Sequence, residues 1–211
     1  DKKKVLLIIF FCFVIFSIFG IEMAHQLKHG DFPPHIAWAK EYSTNGYLYK
    51  IPHPLFAKFV TVVRALLPAN VLVWISPYAK QVYDLKAFEL SALIVTTLSY
   101  FALGWILLKR IIKEWNIQGT GELAFVIITV CTLLIFGPIF FFTFPERMFR
   151  GYLAANRYDS PTFILAKPFV LVAFFGIIDN LLRKWNWKES VIMMLVMICG
   201  TLAKPSFTVT I

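Results

Sequence analysis

Cysteine is scarce in this chain, and its placement excludes two classes of protein at once. Cys12, Cys131 and Cys199 lie far apart inside apolar runs, so neither a disulfide framework nor a thiolate metal site is expected. There is no glycine-rich phosphate loop, no hydrolase elbow and no redox motif, which removes the common soluble-enzyme chemistries. Charge is thin as well, at 16% of residues, and the centres of the long apolar runs hold almost none of it. A transport path, which needs ionisable groups near the bilayer midplane, finds little to work with. No low-complexity segment interrupts the chain.

What is there in quantity is apolar. Of 211 residues 59% are hydrophobic and 17% aromatic, and the mean hydropathy is +0.71, against roughly 45–50% apolar usage in a soluble domain. Apolar runs near 5–22, 87–108, 122–143 and 162–182, with a shorter one at 189–203, match the roughly 20 residues that a helix needs to cross a bilayer. They are continuous and too long for barrel strands, so an all-α, polytopic membrane bundle forming a single transmembrane domain is expected. Lys2-Lys3-Lys4 before Val5–Ile21 has the look of a signal peptide, but no small-residue cleavage site follows, and a retained first span is expected. The chain opens without methionine, and Phe207–Ile211 starts another apolar stretch; an N-terminal fragment of a longer protein is expected.

The net charge of +9 sits in short clusters at the ends of the apolar runs, a pattern of membrane topology rather than of nucleic-acid binding. Lys2, Lys3, Lys4, Lys109, Arg110, Lys113, Arg183, Lys184 and Lys188 fall on one side; Arg147, Arg150, Arg157, Lys167 and Lys204 fall on the other. The N-terminus is thus expected in the cytoplasm, in a plasma (inner) membrane, with a long external loop at 23–86. Trp105, Trp115, Trp185 and Trp187 beside basic residues read as interfacial anchors.

Within the long loop, Gly30-Asp31-Phe32-Pro33-Pro34-His35 leads into a helix that Asn45-Gly46 should stop. A second helix is expected from Pro54 to Leu67, with Lys58, Thr61 and Arg64 on one narrow polar stripe, lying in the interface or packed under other helices. Asp31 reads in two ways. An N-cap carboxylate would bond backbone N–H groups two or three residues on, but those positions are Pro33 and Pro34, which have none. The other reading is an acid held at the membrane surface as a general base. His35 follows one helical turn later, either as an interfacial histidine or as a partner of that acid. All four histidines, His25, His29, His35 and His53, share this loop. His25 and His29 have the spacing of helical metal ligands, yet no second acid accompanies Asp31. A divalent metal is therefore not indicated, and no cofactor is expected.

Farther on, Arg157, Lys167 and Lys204 suit an anion site, the arginine as a fork and the lysines as point charges; a solvated or lipid-paired loop is the simpler alternative for the segment that holds Arg157. Leu165-Ala166-Lys167-Pro168 recurs as Leu202-Ala203-Lys204-Pro205, which puts both lysines on the side of Asp31. Asp179 and Glu89 lie near span ends, either as functional acids or in reach of water.

The run Gly30-Asp31-Phe32-Pro33-Pro34-His35-Ile36-Ala37-Trp38-Ala39, with Gly46-Tyr47-Leu48-Tyr49 and Pro52-His53-Pro54-Leu55, resembles the integral-membrane glycosyltransferases of the GT-C fold. The resemblance covers the N-terminal half best, in the order span, long external loop with an early acid, interfacial helices, further spans. It implies inverting transfer of a sugar from a polyprenyl-phosphate donor to an acceptor hydroxyl on the external face. Asp31, partly buried, would be the base and His35 its orienting partner; Arg157, Lys167 and Lys204 would hold the lipid phosphate, and Trp38, Tyr49 and His53 would line the substrate. The second acid of metal-dependent members has no counterpart here. A transporter, a lipid-handling protein or a non-catalytic subunit of a membrane assembly is the competing class.

Overall fold

The computed structural model describes residues 2–27, 31–46, 53–67, 80–136, 160–182 and 186–204. They form seven helices and, among the described residues, no strand: α1 (Lys2–Gln26), α2 (Phe32–Asn45), α3 (Pro54–Leu66), α4 (Lys80–Glu114), α5 (Thr120–Phe136), α6 (Pro161–Leu182) and α7 (Trp187–Ala203). Three stretches, Lys2–Ile21, Lys86–Glu114 and Pro161–Leu182, are long and apolar enough to cross a membrane. The expected run at 122–143 begins in α5, and its residues beyond 136 lie outside the described ones.

Helix α4 is the central element, in contact with α1, α2, α3, α5 and α6. The first of two apolar cores forms where Phe11, Ile15, Phe19 and Met23, spaced at every fourth residue along α1, meet Tyr100, Leu103, Leu107 and Leu108 of α4 and Val126, Ile127, Val130 and Leu134 of α5. That spacing keeps one stripe of α1 inward. The rest of α1 is apolar too, with Leu6, Phe13 and Ile21 exposed, as a helix facing hydrocarbon would be. Close approach requires a glycine at one point, since a Cβ on Gly104 would lie 2.9 Å from Leu134 Cδ1 and 3.1 Å from Phe11 Cζ.

The second core shapes the region of interest. Ile36 and Ala39 of α2, Phe56, Ala57 and Val60 of α3, Phe88, Ala92 and Val95 of α4, Leu165 and Ala166 of α6 and Ala203 of α7 form one cluster. The two Leu-Ala-Lys-Pro segments thus reach the same core, through Leu165 and Ala166 of the first and Ala203 of the second. Their backbones differ. Lys167 is inside α6, whose Pro168 is buried, whereas Lys204 is extended at φ −149°, ψ 115° and ends α7. A residue before proline is pushed out of the helical region, and Pro205 does this to Lys204. The same restriction is overridden at Lys167, where the first turns of α6 are buried.

Helices α2 and α3 stand as the expected ones, to within a residue at the end of α3. Gly46, at φ 69°, closes α2 by donating its N–H to the Tyr42 carbonyl, a left-handed conformation that suits glycine. The polar stripe of α3 turns toward α2: Lys58 Nζ donates to the Tyr42 hydroxyl at 3.2 Å, and Thr61 Oγ1 lies 3.4 Å from the Ala39 carbonyl. The opposite edge of α3 exposes Phe59, Val62 and Leu66.

Candidate functional site

Asp31 occupies the N-cap position of α2 with no side-chain cap bond, the prolines standing at the first helical positions. Its carboxylate is exposed, not partly buried as expected, because the two prolines lead the chain into α2 along the surface. His35, one turn on, points inward and is only 6% exposed. It packs edge-on against Trp38, with ring centroids 4.8 Å apart, against His53 at 5.1 Å and against Phe56 at 6.0 Å. Burial lowers its pKa to about 4, with His53 and Lys204 adding to the effect. His53, just before α3, is lowered by burial and then by Lys204, while Asp31 opposes both. Both imidazoles are therefore neutral at pH 7, and Asp31 acts on His53 rather than on the His35 of the expected pair. The Nδ1 atom of His53 is buried with no hydrogen-bond partner among the described residues.

Across the second core, Ser160 caps α6. Its carbonyl accepts from the N–H groups of Phe163 and Ile164, and its hydroxyl lies 2.9 Å from Thr162 Oγ1. Lys204 Nζ donates to Ser160 Oγ at 3.2 Å and sits 5.8 Å from the centroid of the Phe163 ring. Lys167, 1% exposed, places its Nζ 5.3 Å from the same centroid and donates to the Tyr100 hydroxyl at 3.3 Å. Tyr100 is fully buried and stacks on Phe19 at 4.3 Å, which ties Lys167 to the first core.

Six of the eight expected site residues lie at this end of the structure: His35, Trp38 and His53 in mutual ring contact, Lys204 acting on both histidines, Lys167 sharing Phe163 with Lys204, and Asp31 acting on His53. Arg157 and Tyr49 lie outside the described residues, as does His29 of the histidine pair. Among the described residues no group of three or more metal-ligating side chains is gathered. Sequence reasoning missed Ser160 and Tyr100. A serine before a proline at a helix start is a legible cap signal, but nothing local marks a tyrosine within an apolar run as the partner of a lysine on another helix.

The arrangement can bind an anion. Two ammonium groups, the Ser160 hydroxyl and the positive N-terminal end of α6 lie together on an apolar foundation, where an anion is held more strongly than in water. The neutral histidines can donate or accept hydrogen bonds, and an exposed carboxylate stands at the rim to take a proton. Protein-family models, curated proteins and solved structures yield no match to this chain.

The lowered pKa of His35 sets a pH dependence. The group binds a proton more readily once α2 is detached, so its contribution is fully present above the ordinary value of 6.5 and is lost as pH falls toward about 4. The loss amounts to about 3 kcal/mol. Denaturant unfolding of the full chain followed from pH 7.5 to pH 4 should show this decline, and His35→Phe, which has nothing to titrate, should flatten most of it. An equally steep decline in the variant would place the titration elsewhere.

Proposed function

We propose that the chain acts as a polytopic membrane glycosyltransferase, with its N-terminus cytoplasmic and the α2/α3 end on the external face. It moves a sugar from a polyprenyl-phosphate donor to an acceptor hydroxyl with inversion. The acceptor oxygen attacks the anomeric carbon, its proton passes to Asp31, and the bond from the anomeric carbon to the phosphate oxygen breaks with its electron pair leaving on the lipid phosphate. Lys204, Lys167 and Ser160 stabilise that departing charge. His53 bridges the two halves, since it feels both Asp31 and Lys204, and Trp38 offers a ring face to the sugar. Exposure of Asp31 leaves it open to an acceptor arriving from water.

The observation that carries this reading is the convergence on Phe163 of Lys167 and Lys204 from two different helices, beside the histidines that α2 and α3 supply. A lipid-phosphate leaving group calls for such a cationic pair at the end of the apolar helices. Binding tests it. The full chain in detergent should hold polyprenyl phosphate more tightly than the uncharged polyprenol, and Lys204→Gln should weaken the former about tenfold, the worth of one charge-assisted hydrogen bond. Equal binding of the two lipids, or unchanged binding by the variant, would remove the anion site.

A further inference from the structure

A cleft lies at the opposite end of the helices, away from the histidines and Lys204. It measures about 430 Å³, is open to one side and is lined by α4, α6 and α7. Its floor is apolar, formed by Trp105, Ile106, Val172, Phe175, Ile192 and Met193, and its rim is charged, with Lys109, Arg110, Lys113, Asp179 and Glu189. Two of the rim charges cancel: Arg110 and Asp179 are joined by two hydrogen bonds of 2.8 and 2.7 Å. The Glu189 carboxylate is engaged in capping α7, where it accepts from the Asn186 N–H at 2.9 Å. Lys109 and Lys113 remain. Both are exposed, they stand one turn apart on α4, and neither pairs with a carboxylate among the described residues. Lys109 Nζ lies 5.2 Å from the centroid of the Trp105 ring, which joins the cationic rim to the apolar floor.

We infer that this cleft binds an anionic phospholipid, its phosphate between Lys109 and Lys113 and the upper part of one acyl chain along Trp105, Phe175 and Ile192. The charge is complementary, because among the described residues the pair of lysines has no carboxylate partner once the rim's own ion pair and cap are made. The apolar continuity is complementary too: Ile192 and Leu195 on α7, 58% and 52% exposed, extend the floor along the helix as an acyl chain runs. The inference rests on the helices lying in a bilayer, not on glycosyl transfer.

Trp105 supplies the readout. The full chain is reconstituted in phosphatidylcholine vesicles containing a minor share of phosphatidylglycerol, with bromine high on the acyl chains of one lipid or the other to quench nearby indoles. Brominated phosphatidylglycerol should quench well beyond its mole fraction, by roughly fivefold for each lysine that holds it. The excess should vanish in Lys109→Gln/Lys113→Gln and shrink in Trp105→Phe, which identifies the indole. Quenching in proportion to mole fraction for both lipids, or an excess that survives the double glutamine variant, would overturn the inference.

Discussion

Asp31→Asn should lower sugar transfer by at least about a hundredfold, the usual share of a general base, while leaving the amount of folded protein and the binding of the donor phosphate unchanged. The expected separation of fold from activity follows from the local geometry. An N-cap aspartate ordinarily contributes about 1 kcal/mol through bonds to the next backbone N–H groups, but Asp31 makes no such bond. Its side chain is exposed, so the near-isosteric asparagine disturbs no neighbour. What is lost is the ability to accept a proton, together with the negative charge acting on His53. The assay is transfer from polyprenyl-phosphate-linked sugars by the full chain, with the level of folded protein and donor binding measured beside it. Transfer within a few-fold of the parent would strip Asp31 of the base role and favour a lipid-handling or assembly function for the same surface.

The largest expected effect on stability is at the other end. Arg110 binds Asp179 through two hydrogen bonds, contacts Glu114 at 3.1 Å and lies 5.0 Å from the centroid of the Phe175 ring. The Arg110 and Asp179 side chains are 16% and 27% exposed, so the pair is partly screened. Removing one member of a fully buried pair costs about 3–5 kcal/mol because the other charge is stranded; here Arg110→Ala or Asp179→Ala should cost about 2–3 kcal/mol. The double alanine variant should lose clearly less than the sum of the two, by a coupling of about 1 kcal/mol or more. Thermal unfolding in detergent measures all three, and strictly additive losses would mean that the two side chains act separately. The pair ties α4 to α6, the same two helices that bring Tyr100 and Lys167 together at the opposite end.

Much of α2 and α3 was legible in the sequence because their signals are local. Pro33-Pro34 fits a first helical turn, Asn45-Gly46 fits a left-handed stop, and Pro54 opens a helix with a repeating apolar face. The missing cap bond of Asp31 was legible for the same reason, since it depends only on two residues that lack N–H groups. Other features were not. The i, i+4 spacing of Asp31 and His35 suggested a pair, but His35 turns into the core and meets His53, from a segment eighteen residues on. The stripe of Lys58, Thr61 and Arg64 gave no sign that it faces α2, because an amphipathic pattern says which residues share a face and not what covers that face. Asp179 read as an acid near a helix end; its arginine lies 69 residues away in sequence, a separation that no local pattern reaches.

Two determinations of different kind are therefore joined in this protein. Sequence alone decided that the apolar runs are helices, because a chain this rich in hydrophobic residues must satisfy its backbone N–H and C=O groups within each segment when little water is present to do so. It also decided where helices start and stop, through proline, glycine and serine at their ends. Tertiary structure decided which side chains meet: the two lysines over Phe163, the buried histidine pair, Tyr100 beneath Lys167, and the cleft whose rim carries Lys109 and Lys113. Those contacts arise between helices distant in the chain, and they depend on how apolar faces interlock, a property of shape that no single segment carries.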